Sequence, residues 1–189
     1  PFRSGWLTEG LVIAYMYRYN GQKEYPNRKS PRHKDYRYNT PGYYFVTICT
    51  QNRRCLLSRV VGFASGATEI QYTAYGKIAQ QQLLLLEERY PLLKVDQYVI
   101  MPNHIHMIIR ISDKRDDVGI VPYTNKQSLS QIIKSFKTLV TKELVFSIWQ
   151  RSFYDRVIRS PKEYDVLAKY IYENPIKWQD DCYYQEHNL

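Results

Sequence analysis

Three stretches of the chain have the composition and periodicity of β-strands. YYFVTICT (Tyr43–Thr50) is aromatic and β-branched throughout. KVDQYVI and HIHMIIRIS follow later, separated by MPN, and Pro and Asn favour a tight turn between two strands of a hairpin. In the second of these strands, alternate side chains point to opposite faces. One face is apolar and predicts a buried core: Ile105, Met107, Ile109 and Ile111.

Three other segments have apolar residues at helical spacing. The pattern predicts a helix from Gly76 to Tyr90, stopped by Pro91, and a second helix from Ser128 to Leu144. A third helix begins in SPKEYDVLAKYIYENP, where Ser160 is an N-cap, Pro161 occupies the first helical position and Glu163 completes a capping box. Helices that alternate with strands, two of them joined by a hairpin, predict an α+β domain in which helices cover an antiparallel sheet.

The length of 189 residues fits one domain with a substantial core. We divide the chain into a basic N-terminal arm or loop over residues 1–42, a single catalytic domain over 43–180, and a C-terminal tail over 181–189. The longest apolar runs are too short to span a bilayer, so no membrane association is expected. Three cysteines without a C-x-x-C pair argue against a disulfide framework and favour a reducing, cytoplasmic location.

Charge narrows the class of partner. The net charge is +9, from 27 Lys and Arg against 18 Asp and Glu, which favours a polyanion such as nucleic acid. The chain also has 19 tyrosines against 6 phenylalanines. Tyrosine rings stack on unpaired bases as readily as they pack in a core, so both uses remain open.

Two of the four histidines lie two residues apart on one predicted strand. His104 and His106 therefore share a face, together with Arg110, and we expect that face to be open to solvent. Two imidazoles on one face suit a metal cation, although a pair of hydrogen-bonded structural histidines is the alternative.

A second candidate group lies on the last helix. Tyr170 and Asn174 are four residues apart and hence neighbours on one side of that helix. Tyr172 is on the opposite flank and Tyr154 precedes the helix. A packing tyrosine followed by an Asn cap would give the same spacing.

Three separated motifs resemble the REP-associated tyrosine transposases, which belong to the single-tyrosine transposases of the HUH superfamily. They are YVIMPNHIHMIIRI, WQRSFYDRVIRSPKEY and YIYENPIKW, and YYFVTICTQNRRCLLS adds a further match. The resemblance runs from about Tyr43 to Trp178. It implies a ferredoxin-like antiparallel sheet with helices packed on one face, and it implies cleavage and rejoining of single-stranded DNA beside a hairpin.

The resemblance also implies roles for individual residues. His104 and His106 match the two metal-binding histidines, Tyr170 matches the nucleophile, and Asn174 matches the position of an amide ligand to the metal. The implied cofactor is Mg²⁺ or Mn²⁺, and the implied covalent intermediate is a 5′-phosphotyrosine. Relatives often have His at the position of Arg156, and this departure bears on the preferred DNA sequence.

Basic and aromatic residues spread over several elements are the expected DNA contacts. The basic candidates are Arg53, Arg54, Arg59, Lys134, Lys137, Arg151, Arg156 and Arg159, and the aromatic ones are Trp149, Phe153 and Tyr154. Single-stranded or hairpin DNA is the expected partner. The sequence leaves open whether the protein is a monomer or a homodimer.

Three other functions are alternatives to this interpretation. A non-catalytic single-stranded nucleic-acid-binding module derived from a transposase remains the main alternative. A cyclic phosphodiesterase needs a second H-x-[ST] motif, and neither His33 nor His187 begins one. A metal-dependent hydrolase on a β/α barrel needs a longer chain than 189 residues.

Overall fold

The computed structural model describes residues 40–62, 68–113 and 128–184. Its strands are β1 (Gly42–Cys49), β2 (Ser58–Gly62), β3 (Thr68–Tyr72), β4 (Leu93–Ile100), β5 (His104–Ile111) and β6 (Tyr154–Ile158). Its helices are α1 (Ala74–Leu84), α2 (Leu86–Arg89), α3 (Leu129–Leu144) and α4 (Pro161–Glu173), with 3₁₀ turns at Gln51–Arg53 and Trp178–Asp180. The predicted arm lies outside the described residues except for residues 40–42.

The main sheet has four strands in the order β4-β5-β1-β6, and every neighbouring pair is antiparallel. Together with the helices between the strands, this order gives the ferredoxin-like α+β architecture that was predicted. Strands β2 and β3 form a separate two-stranded hairpin. Neither this hairpin nor the edge strand β6 was predicted from the sequence.

Helices cover both faces of the main sheet. Helices α1 and α3 pack on the face that carries the even-numbered apolar residues of β1 and the odd-numbered ones of β5. Helix α4 packs on the opposite face, where Leu167 and Ile171 contact Phe45 and Ile108. The expectation of helices on one face therefore holds for α1 and α3 but not for α4, because both faces of β1 and β5 are apolar enough to be buried.

The helix boundaries follow local capping chemistry. The Ser128 side chain and the Gln131 side chain close a reciprocal capping box at the start of α3. Ser160 caps α4 by accepting from the backbone N–H of Glu163 at 3.2 Å. The predicted capping box of α4 is wrong in one detail, since the Glu163 carboxylate accepts from the backbone N–H of Arg159 and not from that of Ser160.

The predicted helix from Gly76 to Tyr90 is divided at Leu85 into α1 and α2. The break turns Glu87 towards β4, where its carboxylate accepts a hydrogen bond from the backbone N–H of Val95 at 2.8 Å. Helix α4 ends at Glu173, and Asn174 keeps right-handed helical geometry (φ −55°, ψ −41°) although Pro175 follows it.

Candidate functional site

The two histidines lie side by side on the sheet face that α4 covers. In the register of β1 and β5, Thr47 is opposite His106 and Cys49 is opposite His104. Both imidazoles are fully buried, so the expectation of a solvent-facing pair is wrong. The covering groups come from α4 and from residues 178–184, among them the Tyr183 ring, whose centroid is 4.6 Å from that of His104.

His104 is held through one ring nitrogen and leaves the other without a partner. Its Nδ1 lies 2.9 Å from the side-chain oxygen of Asn103. Its Nε2 is buried and makes no hydrogen bond to any residue that the structure describes. Burial lowers the pKa of His104 to about 3, with a smaller contribution from the Arg53 charge. The imidazole is therefore neutral at physiological pH, which is the form that binds metals.

His106 is held in a similar way. Its Nδ1 lies 2.8 Å from the hydroxyl of Thr47, and its Nε2 lies 3.4 Å from the hydroxyl of Tyr170. The two imidazole centroids are 4.4 Å apart. Burial, and then the neighbouring His104, lower the pKa of His106 well below its ordinary value. Both imidazoles are therefore neutral and close enough to share one cation.

Tyr170 and Asn174 meet the histidines from α4. The Tyr170 hydroxyl donates to Asp181 Oδ2 at 3.3 Å, and the Asn174 amide donates to the same oxygen at 2.8 Å. Burial raises the pKa of Tyr170 well above its ordinary value, and the Asp181 charge adds to the shift. Of the other tyrosines considered, Tyr172 is 78% exposed on the outside of the helix and Tyr154 lies in β6.

Asp181 is a member of the site that was not predicted from the sequence. Asp181, His104 and His106 each offer one possible ligand atom, and these three atoms lie within 4.8 Å of one another. Asp181 belongs to the segment assigned to a C-terminal tail, in which Asp181 and Tyr183 lie against the histidines and residues 185–189 fall outside the described residues. An acidic residue soon after the Tyr-x-x-x-Asn pattern was the only signal available in the sequence.

The residues present fit a divalent cation. At this site two buried atoms with lone pairs, His104 Nε2 and Asn174 Oδ1, lack partners among the residues that the structure describes. A buried polar atom without a partner is costly, and a bound cation would satisfy both. Neutral imidazole nitrogens together with carboxylate and amide oxygens form a mixed donor set that divalent cations accept. His104, His106 and Asp181 therefore form a candidate metal site.

Some of the predicted DNA contacts lie near this site. Arg53 donates to the Cys182 carbonyl at 3.2 Å, and its guanidinium lies 5.0 Å from the centre of the Tyr183 ring. Arg54 follows it and is exposed. Tyr154 lies opposite Thr47 in the sheet, in the same row as His106.

Other basic candidates are further away or already paired. Lys134 and Lys137 are on α3, across the sheet from α4, and the Lys137 ammonium donates to the carbonyls of Gln150 and Ser152. Arg156 forms an ion pair with Glu163 at 2.6 Å. Arg59, Arg151 and Arg159 are exposed.

The aromatic candidates before β6 are less available for stacking than expected. Trp149 is only 5% exposed and packs against Phe136 in the core, so the prediction that it stacks on bases is wrong. Phe153 is half-buried against the same core. The positions of Trp149 and Phe153 in the sequence do not show whether their rings lie in the core or on the surface.

The sequence is similar to those of known proteins. A family profile described as "Transposase IS200 like" matches residues 84–174. An uncharacterized protein of Haemophilus influenzae is 31% identical over 173 residues, which are 84% of this chain and 93% of the relative. The REP-associated tyrosine transposase of Escherichia coli K12 is 25% identical over 136 residues, or 72% of this chain and 67% of the relative.

A solved structure of a REP-associated tyrosine transposase bound to a REP hairpin has the same fold. Its TM-score is 0.57 at 22% identity, and the match covers 79% of this chain and 74% of that one. The chain is thus similar to IS200-like transposases over residues 84–174 and to a REP-associated tyrosine transposase over 72% of its length. Within the described residues, no helix is long and apolar enough to cross a membrane.

Proposed function

We propose that the protein cleaves and rejoins single-stranded DNA beside hairpins and that Tyr170 is the nucleophile. The observation that carries the proposal is the position of the Tyr170 hydroxyl, 3.4 Å from His106 Nε2 and 3.3 Å from Asp181 Oδ2. The Tyr170 hydroxyl therefore lies beside two of the three candidate metal ligands. The similarity to REP-associated tyrosine transposases supports the same reaction class.

The cation that we propose is Mg²⁺ or Mn²⁺, held by His104 and His106 through Nε2. Asp181 and the side-chain oxygen of Asn174 supply the oxygen donors. When bound, the cation supplies positive charge that polarises the scissile phosphate and offsets charge that develops during attack. The two histidines need to be neutral for this role, and burial keeps them neutral.

In the proposed step, the Tyr170 oxygen forms a bond to phosphorus while the bond from phosphorus to the 3′ oxygen breaks. The Tyr170 proton has an acceptor in Asp181 Oδ2, and the departing 3′ oxygen takes up a proton to become a hydroxyl. The product is a 5′-phosphotyrosine and a free 3′ hydroxyl. Because the phosphodiester is exchanged and not hydrolysed, the reverse step rejoins a strand without ATP.

The substrate that we propose is single-stranded DNA next to a hairpin, since a related transposase is described as bound to a REP hairpin. The net charge of +9 supports binding to the phosphate backbone. The DNA contacts that we propose are Arg53, Arg54, Lys134, Lys137, Arg151, Tyr154, Arg156 and Arg159. Arg53 and Arg54 are the best placed, because they follow β1 beside the buried histidines. The protein acts as a monomer or homodimer.

A covalent-adduct assay tests this function. The wild-type protein is incubated with 5′-labelled and 3′-labelled hairpin oligonucleotides and Mn²⁺, then run on a denaturing gel. We expect a protein–DNA adduct that survives boiling in detergent and disappears on protease treatment. Tyr170→Phe should fold and bind DNA but form no adduct, whereas the exposed Tyr172→Phe is the matched control and should form it normally.

The same assay distinguishes the main alternative. A wild-type protein that binds the hairpin tightly but forms no adduct and no cleaved strand with either Mg²⁺ or Mn²⁺ would be a non-catalytic binding module. An adduct that persists in Tyr170→Phe would refute the choice of nucleophile while leaving the reaction class intact.

A further inference from the structure

Asn103 occupies the turn between β4 and β5, directly before His104, and its side chain is fully buried. Its backbone carbonyl accepts a hydrogen bond from the Thr50 backbone N–H at 2.9 Å. The same carbonyl lies 3.0 Å from the Thr50 hydroxyl, whose single proton has a nearer acceptor in the Arg54 carbonyl at 2.7 Å. The turn is therefore fixed to the end of β1. Asn103 is neither a candidate metal ligand nor the proposed nucleophile.

The contacts of the Asn103 amide determine which of its two ends faces the histidine. Its nitrogen lies 3.1 Å from the Arg53 carbonyl and 2.7 Å from the Tyr183 carbonyl. Carbonyl oxygens only accept hydrogen bonds, so both contacts need the NH₂ group, whose two hydrogens they use. The amide oxygen is consequently the atom that faces His104 Nδ1 at 2.9 Å.

The hydrogen bond from the Asn103 amide also holds the backbone at Arg53. Asn52 and Arg53 both have left-handed geometry, with φ of 55° and 54°. Two successive residues of this kind are unfavourable for side chains other than glycine and persist only where other contacts hold them. The hydrogen bond from Asn103 to the Arg53 carbonyl is one such contact.

An amide oxygen can only accept, so the hydrogen bond at His104 Nδ1 has one possible direction. We propose that Asn103 is a positioning residue that keeps the His104 proton on Nδ1 and so leaves the Nε2 lone pair directed at the cation. This inference rests on the proposed function for its purpose but not for its test. It also accounts for the buried Nε2 that lacks a partner among the described residues.

His106 provides an internal comparison. Its Nδ1 faces the Thr47 hydroxyl, which donates or accepts equally well. Thr47 alone therefore does not fix the tautomer of His106. At His104, by contrast, the Nδ1 contact with an amide oxygen has only one possible direction.

Two substitutions separate the proton-fixing role from a merely structural one. Asn103→Leu has a similar shape but loses both the oxygen acceptor and the NH₂ donor. Asn103→Asp loses the same two donor contacts to Arg53 and Tyr183 but keeps an oxygen acceptor for His104. Ser58→Ala is the matched control, since it removes another buried hydrogen bond to the same hairpin, to the Ile100 carbonyl at 2.8 Å, without touching a histidine.

The primary measurement is the tautomer of His104 in the metal-free protein, read from the ¹⁵N shifts of its imidazole. The signal is assigned by its loss in His104→Gln. Wild type, Asn103→Asp and Ser58→Ala should carry the proton on Nδ1, whereas Asn103→Leu should show a mixture or the other tautomer. A wild-type His104 protonated on Nε2, or an unchanged tautomer in Asn103→Leu, would overturn the inference.

The secondary measurement is Mn²⁺ affinity, followed by the electron paramagnetic resonance signal of free Mn²⁺. Loss of a partner that orients a metal-binding histidine typically costs about 10–100-fold in affinity, which we expect for Asn103→Leu. Asn103→Asp should recover most of that loss, and equal weakening in both variants would indicate a structural effect and overturn the inference. Absence of Mn²⁺ binding by a wild type with the expected tautomer would instead refute the proposed metal-dependent function.

Discussion

Replacing His106 with alanine should destabilise the protein even when no metal is present. The imidazole is fully buried and packs against the rings of Phe45 and Tyr170, whose centroids are 5.2 Å from its own. Loss of a buried ring leaves a cavity that costs roughly 2–4 kcal/mol by analogy with other large-to-small changes. The Thr47 hydroxyl also loses its partner, which adds about 1 kcal/mol.

These terms together predict a loss of about 3–5 kcal/mol in the free energy of unfolding, or roughly 6–20 °C in Tm for a domain of this size. Thermal unfolding followed by circular dichroism in EDTA measures the shift. Tyr172→Ala, which removes an aromatic ring that is 78% exposed, is the control and should change Tm by little. Added Mn²⁺ should raise the Tm of wild type but not that of His106→Ala, since ligands stabilise only the state that binds them. A Tm for His106→Ala within about 1 °C of wild type in EDTA would contradict the burial of the histidines on which the site depends.

Three further predictions concern the fold, a thiol and the DNA. Gly76→Ala should destabilise the protein strongly in denaturant titration, because an added Cβ would lie 1.9 Å from the Leu57 carbonyl oxygen; unchanged stability would show that α1 packs differently. Burial raises the pKa of the Cys49 thiol from 9.0 to about 11, so at pH 8 it should react with a thiol reagent about 100-fold more slowly than an ordinary cysteine when Cys55 and Cys182 are replaced by serine. Fast labelling of Cys49 at pH 8 would contradict its burial. The raised pKa of Cys49 also implies that the free energy of unfolding falls as the pH rises above 9.0, because the thiol then loses its proton more readily in the unfolded chain than in the folded one. Affinity should favour hairpin or single-stranded DNA over blunt duplex and fall steeply with salt in fluorescence anisotropy, and equal affinity for blunt duplex would count against recognition of unpaired bases.

Local patterns in the sequence predicted a large part of the fold. The alternation in β5 identified its core-facing residues, because period-two patterning is a property of the strand itself. The start of α4 was predicted because Ser160 and Pro161 act within one turn of the helix. The short strand β6, YDRVI, was not predicted, since its charged residues read as a loop and its pairing with β1 is a long-range contact.

In the candidate site, too, the features set by local geometry were predicted and those set by tertiary packing were not. The shared face of His104 and His106 and the shared side of Tyr170 and Asn174 followed from strand and helix geometry. The burial of the histidines did not, because it depends on α4 and residues 178–184 packing over the sheet. Asp181 was also missed, since a turn at Trp178–Asp180 brings it back to the site from beyond the end of α4.

Peptide mapping of the adduct shows whether Tyr170 is the residue that becomes covalently joined to DNA. The wild-type protein is reacted with a hairpin oligonucleotide and Mn²⁺, the DNA is trimmed with nuclease, and the protease digest is analysed by mass spectrometry. We expect a nucleotide linked through a 5′ phosphate to the peptide that contains Tyr170, and to the Tyr170 oxygen when the peptide is fragmented. A modified peptide that carries the nucleotide on any other residue, such as Tyr172 or Tyr183, would contradict this expectation.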